Sequence, residues 1–98
     1  MTKQDALQLI GNLAPQARAL GVTGLYLFGS MARDQATQAS DLDIFIEYDR
    51  TRPFSLLDLM RVNHLLEDAG GGNVDISTRA GLHPALRGRI EREAIRVF

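Results

Sequence analysis

Asp41 and Asp43 stand two residues apart at the opening of an apolar run, Asp41-Leu42-Asp43-Ile44-Phe45-Ile46. On a β-strand that spacing turns both carboxylates to one face. Two carboxylates held together repel unless a cation lies between them. Mg²⁺ takes oxygen ligands, usually one or two carboxylates completed by substrate phosphates and water. The pair therefore reads as a site for a Mg²⁺-bound nucleoside triphosphate. Two-metal transfer of a phosphoryl or nucleotidyl group needs a third carboxylate for the ion that activates the attacking hydroxyl. Asp75 is the candidate. It lies in a strand-like run, Asn73–Thr78, where Val74 and Ile76 point to the core and Asp75 to the other face. Asp49 sits in a turn, and Asp58 and Asp68 lie on a helix. Glu47 shares the aspartates' face but lies roughly 13 Å from Asp43 along a strand, too far to share a metal.

Upstream, Gly29-Ser30 follows the apolar run Leu25-Tyr26-Leu27-Phe28. A residue without Cβ lets the backbone approach a phosphate closely. Ser30 supplies a hydroxyl and is expected to cap a short helix, Met31 to Ala36, whose first N–H groups are unpaired. Arg33, one turn into that helix, is placed to reach the same phosphates or to pair with an aspartate.

These residues need elements to hold them. Lys3 to Leu20 carries a helical apolar pattern interrupted by Gly11 and Pro15, so a break near Ala14 is expected. Strands are expected over Leu25–Phe28, Asp41–Tyr48 and Asn73–Thr78. In the second, Leu42, Ile44, Ile46 and Tyr48 face one way and Asp41, Asp43, Phe45 and Glu47 the other. Ser55 to Ala69 reads as a helix with Leu56, Leu59, Met60, Val62, Leu66 and Ala69 inward. Its opening resembles a capping box, Ser55 with Asp58. Gly70-Gly71-Gly72 ends it. A last helix starts at Pro84 with Leu86, Ile90, Ala94 and Val97 inward. The order is α-β-α-β-α-β-α, an α/β (α+β) domain over residues 1–98 with a small mixed three-stranded sheet flanked by helices. If Gly29-Ser30 and the aspartates serve one site, strands one and two are antiparallel neighbours. The helical connection makes strands two and three parallel.

Composition sets outer limits. The 98 residues fit one small domain, with 45% hydrophobic and 23% charged residues. No cysteine is present, so thiolate chemistry and disulfides are excluded. No apolar run approaches a membrane span. Met1-Thr2-Lys3-Gln4-Asp5 lacks the layout of a signal peptide, and a cytoplasmic location is expected. A net charge of −1 gives no argument for nucleic-acid binding. So short a chain has little surface for enclosing a nucleobase, so the phosphates should be held well and the base loosely. The arginines Arg87, Arg89, Arg92 and Arg96 read as a solvated face paired with Glu91 and Glu93. His64 and His83 have no metal-ligand spacing.

A Gly-Ser turn, or an Asp-x-Asp, has a plain structural reading when it stands alone. Together, GSMARDQATQASDLDIFIEY resembles the signature of the nucleotidyltransferase superfamily that includes DNA polymerase β. The whole chain, with its end from Leu82 through Phe98, is similar to the minimal nucleotidyltransferases of bacteria and archaea. One departure is Asp34, where a glycine is more usual, expected to alter the short helix's end.

That resemblance implies a nucleotidyltransferase fold and an antitoxin paired with a HEPN-type ribonuclease toxin. It implies transfer of AMP from ATP to a tyrosine hydroxyl of that partner, with release of pyrophosphate. Asp41 and Asp43 would bind two Mg²⁺ ions, and Asp75 would bind the catalytic one and help remove the acceptor's proton. Gly29 and Ser30 would hold the triphosphate, with Arg33 beside them. A hetero-oligomer with the partner is implied. Two other readings stand beside this one: a non-catalytic module of the same fold that neutralises its partner by contact, and nucleotidyl transfer to RNA or a small molecule.

Overall fold

Helix α1 (Lys3–Asn12) opens on a complete capping box. Thr2 Oγ1 accepts the Asp5 N–H at 3.1 Å, and the Asp5 carboxylate accepts the Thr2 N–H at 3.0 Å. The helix breaks at Leu13, and α2 (Ala14–Ala19) restarts with Pro15 in its first turn, where a missing N–H costs nothing. The computed structural model describes residues 1–35 and 41–98. The helix expected to reach Ala36 and the polar loop ending at Ser40 therefore extend outside the described residues.

Strand β1 spans Val22–Phe28, three residues longer than the apolar run alone predicts, because Gly24 pairs within the sheet after an irregularity between Val22 and Gly24. It continues directly into α3 (Gly29–Ala32). Strand β2 (Leu42–Tyr48) lies antiparallel to β1, with Phe28 opposite Asp43 and Tyr26 opposite Phe45. Strand β3 (Val74–Thr78) lies parallel to β2, with Asp75 beside Asp43. The first pairing agrees with that expected from a shared site, the second with that expected from the helical connection.

The sheet has four strands, in the order β3-β2-β1-β4, rather than three. The last helix, α5 (Pro84–Glu93), ends before Ala94, and Ile95–Arg96 form β4 against β1. The free edge of β1 presents unpaired backbone groups. The segment after Ala94, rich in β-branched residues, satisfies them: Leu25 N–H donates to Phe98 O at 3.1 Å and Val97 N–H to Leu25 O at 2.8 Å.

Helix α4 (Leu56–Leu66) carries the predicted capping box, with Ser55 N–H donating to Asp58 at 2.8 Å. Its phase differs from expectation. Val62, Asn63 and Leu66 are buried and Leu59 packs on the core, whereas Leu56 is 75% and Met60 38% exposed. The stripe is Leu59, Val62, Asn63 and Leu66, an i, i+3, i+4, i+7 set. Buried Asn63 is held by its Nδ2 donating to Glu67 Oε1 at 3.0 Å. Beyond Leu66 the chain widens into a loose turn over Glu67–Gly71, so Ala69 leaves the helical period and is exposed. On α5 (Pro84–Glu93), Leu86 is likewise exposed, Ile90 and Ala94 are half-buried, and Val97 reaches the core from beyond the helix.

One core lies between the helical layer and the sheet. It joins Ala6 and Ile10 of α1, Ala17 of α2, Leu25 and Leu27 of β1, Leu42, Ile44 and Ile46 of β2, and Val62 and Leu66 of α4. The opposite face of the sheet carries Asp43 and Asp75.

Candidate active site

Directly opposed residues in a sheet point to the same side, so Phe28, Asp43 and Asp75 share one face at one end of β1, β2 and β3. Neighbouring strands run about 4.8 Å apart, which brings Asp43 and Asp75 side by side without a turn or loop between them. Asp41 immediately precedes β2 and is exposed, as is Asp75, while Asp43 is half-buried. Burial pushes the Asp43 carboxyl above its ordinary value, the charges of Asp75 and Asp41 push it further, and the Arg33 charge acts the other way. Asp43 thus feels both of the other predicted carboxylates and one cation.

Gly29 closes the site from β1. Its φ is +74, in the left-handed region, and a Cβ there would press into the Asp43 carboxylate, reaching about 3.0 Å from Cγ. The glycine is required twice, by backbone conformation and by space. Ser30 is not the helix cap: α3 starts two residues earlier than expected, with Phe28 in the extended cap position, and Ser30 lies within its first turn. Asp34 has φ +58, a conformation glycine adopts freely and aspartate tolerates, which accounts for the glycine more usual there.

Arg33 is engaged elsewhere than expected. Its Nη1 donates to both carboxylate oxygens of Glu93 on α5, at 3.1 and 3.2 Å, and its Nε donates to Gln35 at 3.1 Å. Separated by sixty positions in sequence, Arg33 and Glu93 offer no local signal of pairing. A second residue is visible only in three dimensions. Arg79 lies over the rings of Tyr26 and Phe45, at 4.9 and 5.1 Å, and bonds Glu47 and Glu91 at 2.8 Å each. Phe45, predicted on the aspartates' face, is there but wholly buried beneath this cover. The predicted pairing of the α5 arginines holds for Arg87 with Glu91 and Arg89 with Glu93. His83 caps α5, its Nδ1 accepting the Ala85 N–H at 3.1 Å.

Among the described residues, no three His, Cys, Asp or Glu side chains converge into a ready-made metal cluster. The donors present are hard carboxylate oxygens on an open sheet end, with Asp43 destabilised in its charged form. That set fits a divalent cation such as Mg²⁺, which draws its remaining ligands from phosphate oxygens and water instead of an all-protein cage. Among the described residues, no helix is long and apolar enough to cross a membrane.

Comparison with known proteins agrees with this fold. The nucleotidyltransferase domain family matches residues 12–97. A protein of Methanocaldococcus jannaschii described as a "putative protein adenylyltransferase" is 42% identical over 78 residues, which cover 80% of this chain and 82% of that protein. Protein adenylyltransferase MntA of Thermococcus cleftensis is 30% identical over 77 residues, covering 79% and 76%. A solved structure described as a "putative minimal nucleotidyltransferase" superposes with a TM-score of 0.82 at 34% identity, over 97% of this chain and 95% of that one. A toxin-antitoxin structure with AMP-PNP shares the fold at a TM-score of 0.71 and 18% identity, over 90% and 72% of the two chains. With the family matched from residue 12 to 97 and a relative 42% identical over four-fifths of both chains, this chain belongs to the nucleotidyltransferase domain family.

Proposed function

We propose that this nucleotidyltransferase transfers AMP from ATP to a protein hydroxyl, the tyrosine of a HEPN-type ribonuclease toxin, and so acts as its antitoxin in the cytoplasm. The observation that carries the reading is the parallel register of Asp43 and Asp75 at the sheet end that Gly29 closes. The names of the relatives supply the acceptor class, since those at 42% and 30% identity are described as protein adenylyltransferases. The toxin partner is suggested by the complex that shares the fold.

Asp41, Asp43 and Asp75 would hold two Mg²⁺ ions, which when bound neutralise charge on the triphosphate and lower the cost of an ionised acceptor oxygen. Gly29 lets the backbone approach the phosphates, and Ser30 offers its hydroxyl. Asp75, exposed and on the correct face, receives the proton of the acceptor hydroxyl. The acceptor oxygen bonds to the α-phosphorus as the bond to the β-phosphate bridge breaks, and pyrophosphate leaves. No side chain forms a covalent intermediate, so the acceleration rests on positioning and electrostatics.

The test is label transfer from [α-³²P]ATP with Mg²⁺ into proteins of the native host, run beside Asp41→Asn. Label on one small protein, lost in the variant, supports the reading. Label on RNA replaces the acceptor class. A stoichiometric partner that takes no label replaces catalysis with neutralisation by contact.

A further inference from the structure

Helix α5 is attached to the molecule in an unusual way. Of its ten residues only Ile90 and Glu93 are even half-buried, and none belongs to the core. Leu86, its first large apolar residue, is 48% exposed. Gly88, among the weakest helix formers, sits at its middle. A helix this short is marginal without tertiary support. Its two ends are anchored, by buried Leu82 before it and by Ile95, Val97 and Phe98 after it.

Between those anchors the support is ionic. Glu91 bonds Arg79 at 2.8 Å and Arg87 at 3.0 Å, and Arg79 rests on Tyr26 and Phe45, on the carboxylates' side of the sheet. Glu93 holds Arg33 and lies 4.0 Å from Arg89. Arg33 also lies one turn from Gly29, its N–H donating to Gly29 O at 3.1 Å, and Gly29 abuts the Asp43 carboxylate. A polyanion arriving at Asp41, Asp43 and Asp75 with its metal would meet this guanidinium already neutralised by Glu93. A triphosphate carries more charge than one carboxylate and competes for the same Nη1 donor.

We propose that α5 is a strap closed across the carboxylates' side of the sheet by ion pairs, and that Glu93 gives up Arg33 to the phosphates of an incoming nucleoside triphosphate, loosening the strap. The exchange rests on the nucleotidyltransferase reading above. It makes Glu93 a positioning residue that sets where the Arg33 fork points, and couples nucleotide binding to the mobility of a surface helix.

Amide hydrogen exchange of the full chain tests this, with a Mg²⁺-bound non-hydrolysable ATP analogue as probe. In the wild type, the analogue is expected to protect residues 27–33 and to speed exchange across residues 84–93. Glu93→Gln is expected to speed exchange in α5 without nucleotide by about two- to fivefold, the scale of one or two surface ion pairs. The same variant should bind the analogue more tightly by a similar factor. Gly88→Ala, whose added Cβ meets only Arg92 Nη1 at 3.5 Å, should slow exchange in α5 and touches no charge of the strap. Protection of 27–33 with unchanged exchange in 84–93 would overturn the strap while leaving nucleotide binding intact. Weaker binding by Glu93→Gln would also overturn it. Absence of any protected segment would remove the nucleotide reading and the strap together.

Discussion

Asp43 costs the fold stability, and the proposed function accounts for its being held there. Its pKa lies above the ordinary 3.8, through burial first and then Asp75 and Asp41. Between 3.8 and that raised value the folded chain binds more protons than the unfolded one, so stability falls as pH rises through the window. Above it the penalty is complete. Asp43→Asn should therefore raise the unfolding temperature at pH 7, by a few degrees after allowing for solvent screening, with the gain vanishing below pH 3.8. Thermal unfolding at pH 7 and pH 3 checks both halves. Gly29 makes the opposite case. Gly29→Ala forces an L-residue to φ +74 and pushes the Asp43 carboxylate aside. It should leave a folded protein whose AMP transfer is about 100-fold slower, the scale of a small misplacement at a reacting centre. Transfer rate measured beside circular dichroism separates loss of function from loss of fold.

Among the elements, those with a single strong pattern were legible in the sequence, and those with two competing patterns were not. The antiparallel β1–β2 pairing followed from requiring Gly29 and the aspartates at one place, and the parallel β2–β3 pairing from the helix that joins those strands. The box at Ser55 and Asp58 was readable because both partners lie within one turn. Helix α4's phase was not, since Leu56, Leu57 and Met60 extend the apolar pattern onto the solvent side. Strand β4 was hidden because Ala94 and Val97 continue a helical period set by Leu86 and Ile90. Pairings such as Arg33–Glu93 and Arg79–Glu47 arise only when distant segments meet. The cap carries its own prediction: Ser55→Ala should cost about 1 kcal/mol. The Asp58 carboxyl sits below its ordinary value, chiefly through the Ser55 backbone N–H, which the variant keeps, and in smaller part through the Ser55 hydroxyl, which it loses; only the hydroxyl's share, present above 3.8 and lost as pH falls through the lowered value, separates the two proteins in this way. Urea unfolding at pH 7 should register the loss, and the gap between the two proteins should narrow in acid.

At the scale of the whole molecule, a four-stranded sheet buries one face under α1, α2 and α4 and turns Asp43 and Asp75 to the other. Two of the three carboxylates are exposed at an open sheet end, and the aromatic patch behind them is covered by Arg79. On the proposed reading, phosphates and metal would find ligands there, whereas the base would have little to grip. The isolated chain should accordingly discriminate weakly among ATP, GTP, CTP and UTP, within about tenfold, or 1.4 kcal/mol. Competition of each triphosphate against labelled ATP measures it, and a strong preference for one base would contradict it.

The most direct test of the central claim compares [α-³²P]ATP with [γ-³²P]ATP as donor, using the purified chain, its co-purifying partner and Mg²⁺, alongside Asp43→Asn. AMP transfer predicts that the partner takes the α-label and not the γ-label, and that Asp43→Asn, still folded and still bound to the partner, transfers neither. Transfer of the γ-label, or full α-label transfer by Asp43→Asn, would contradict the account.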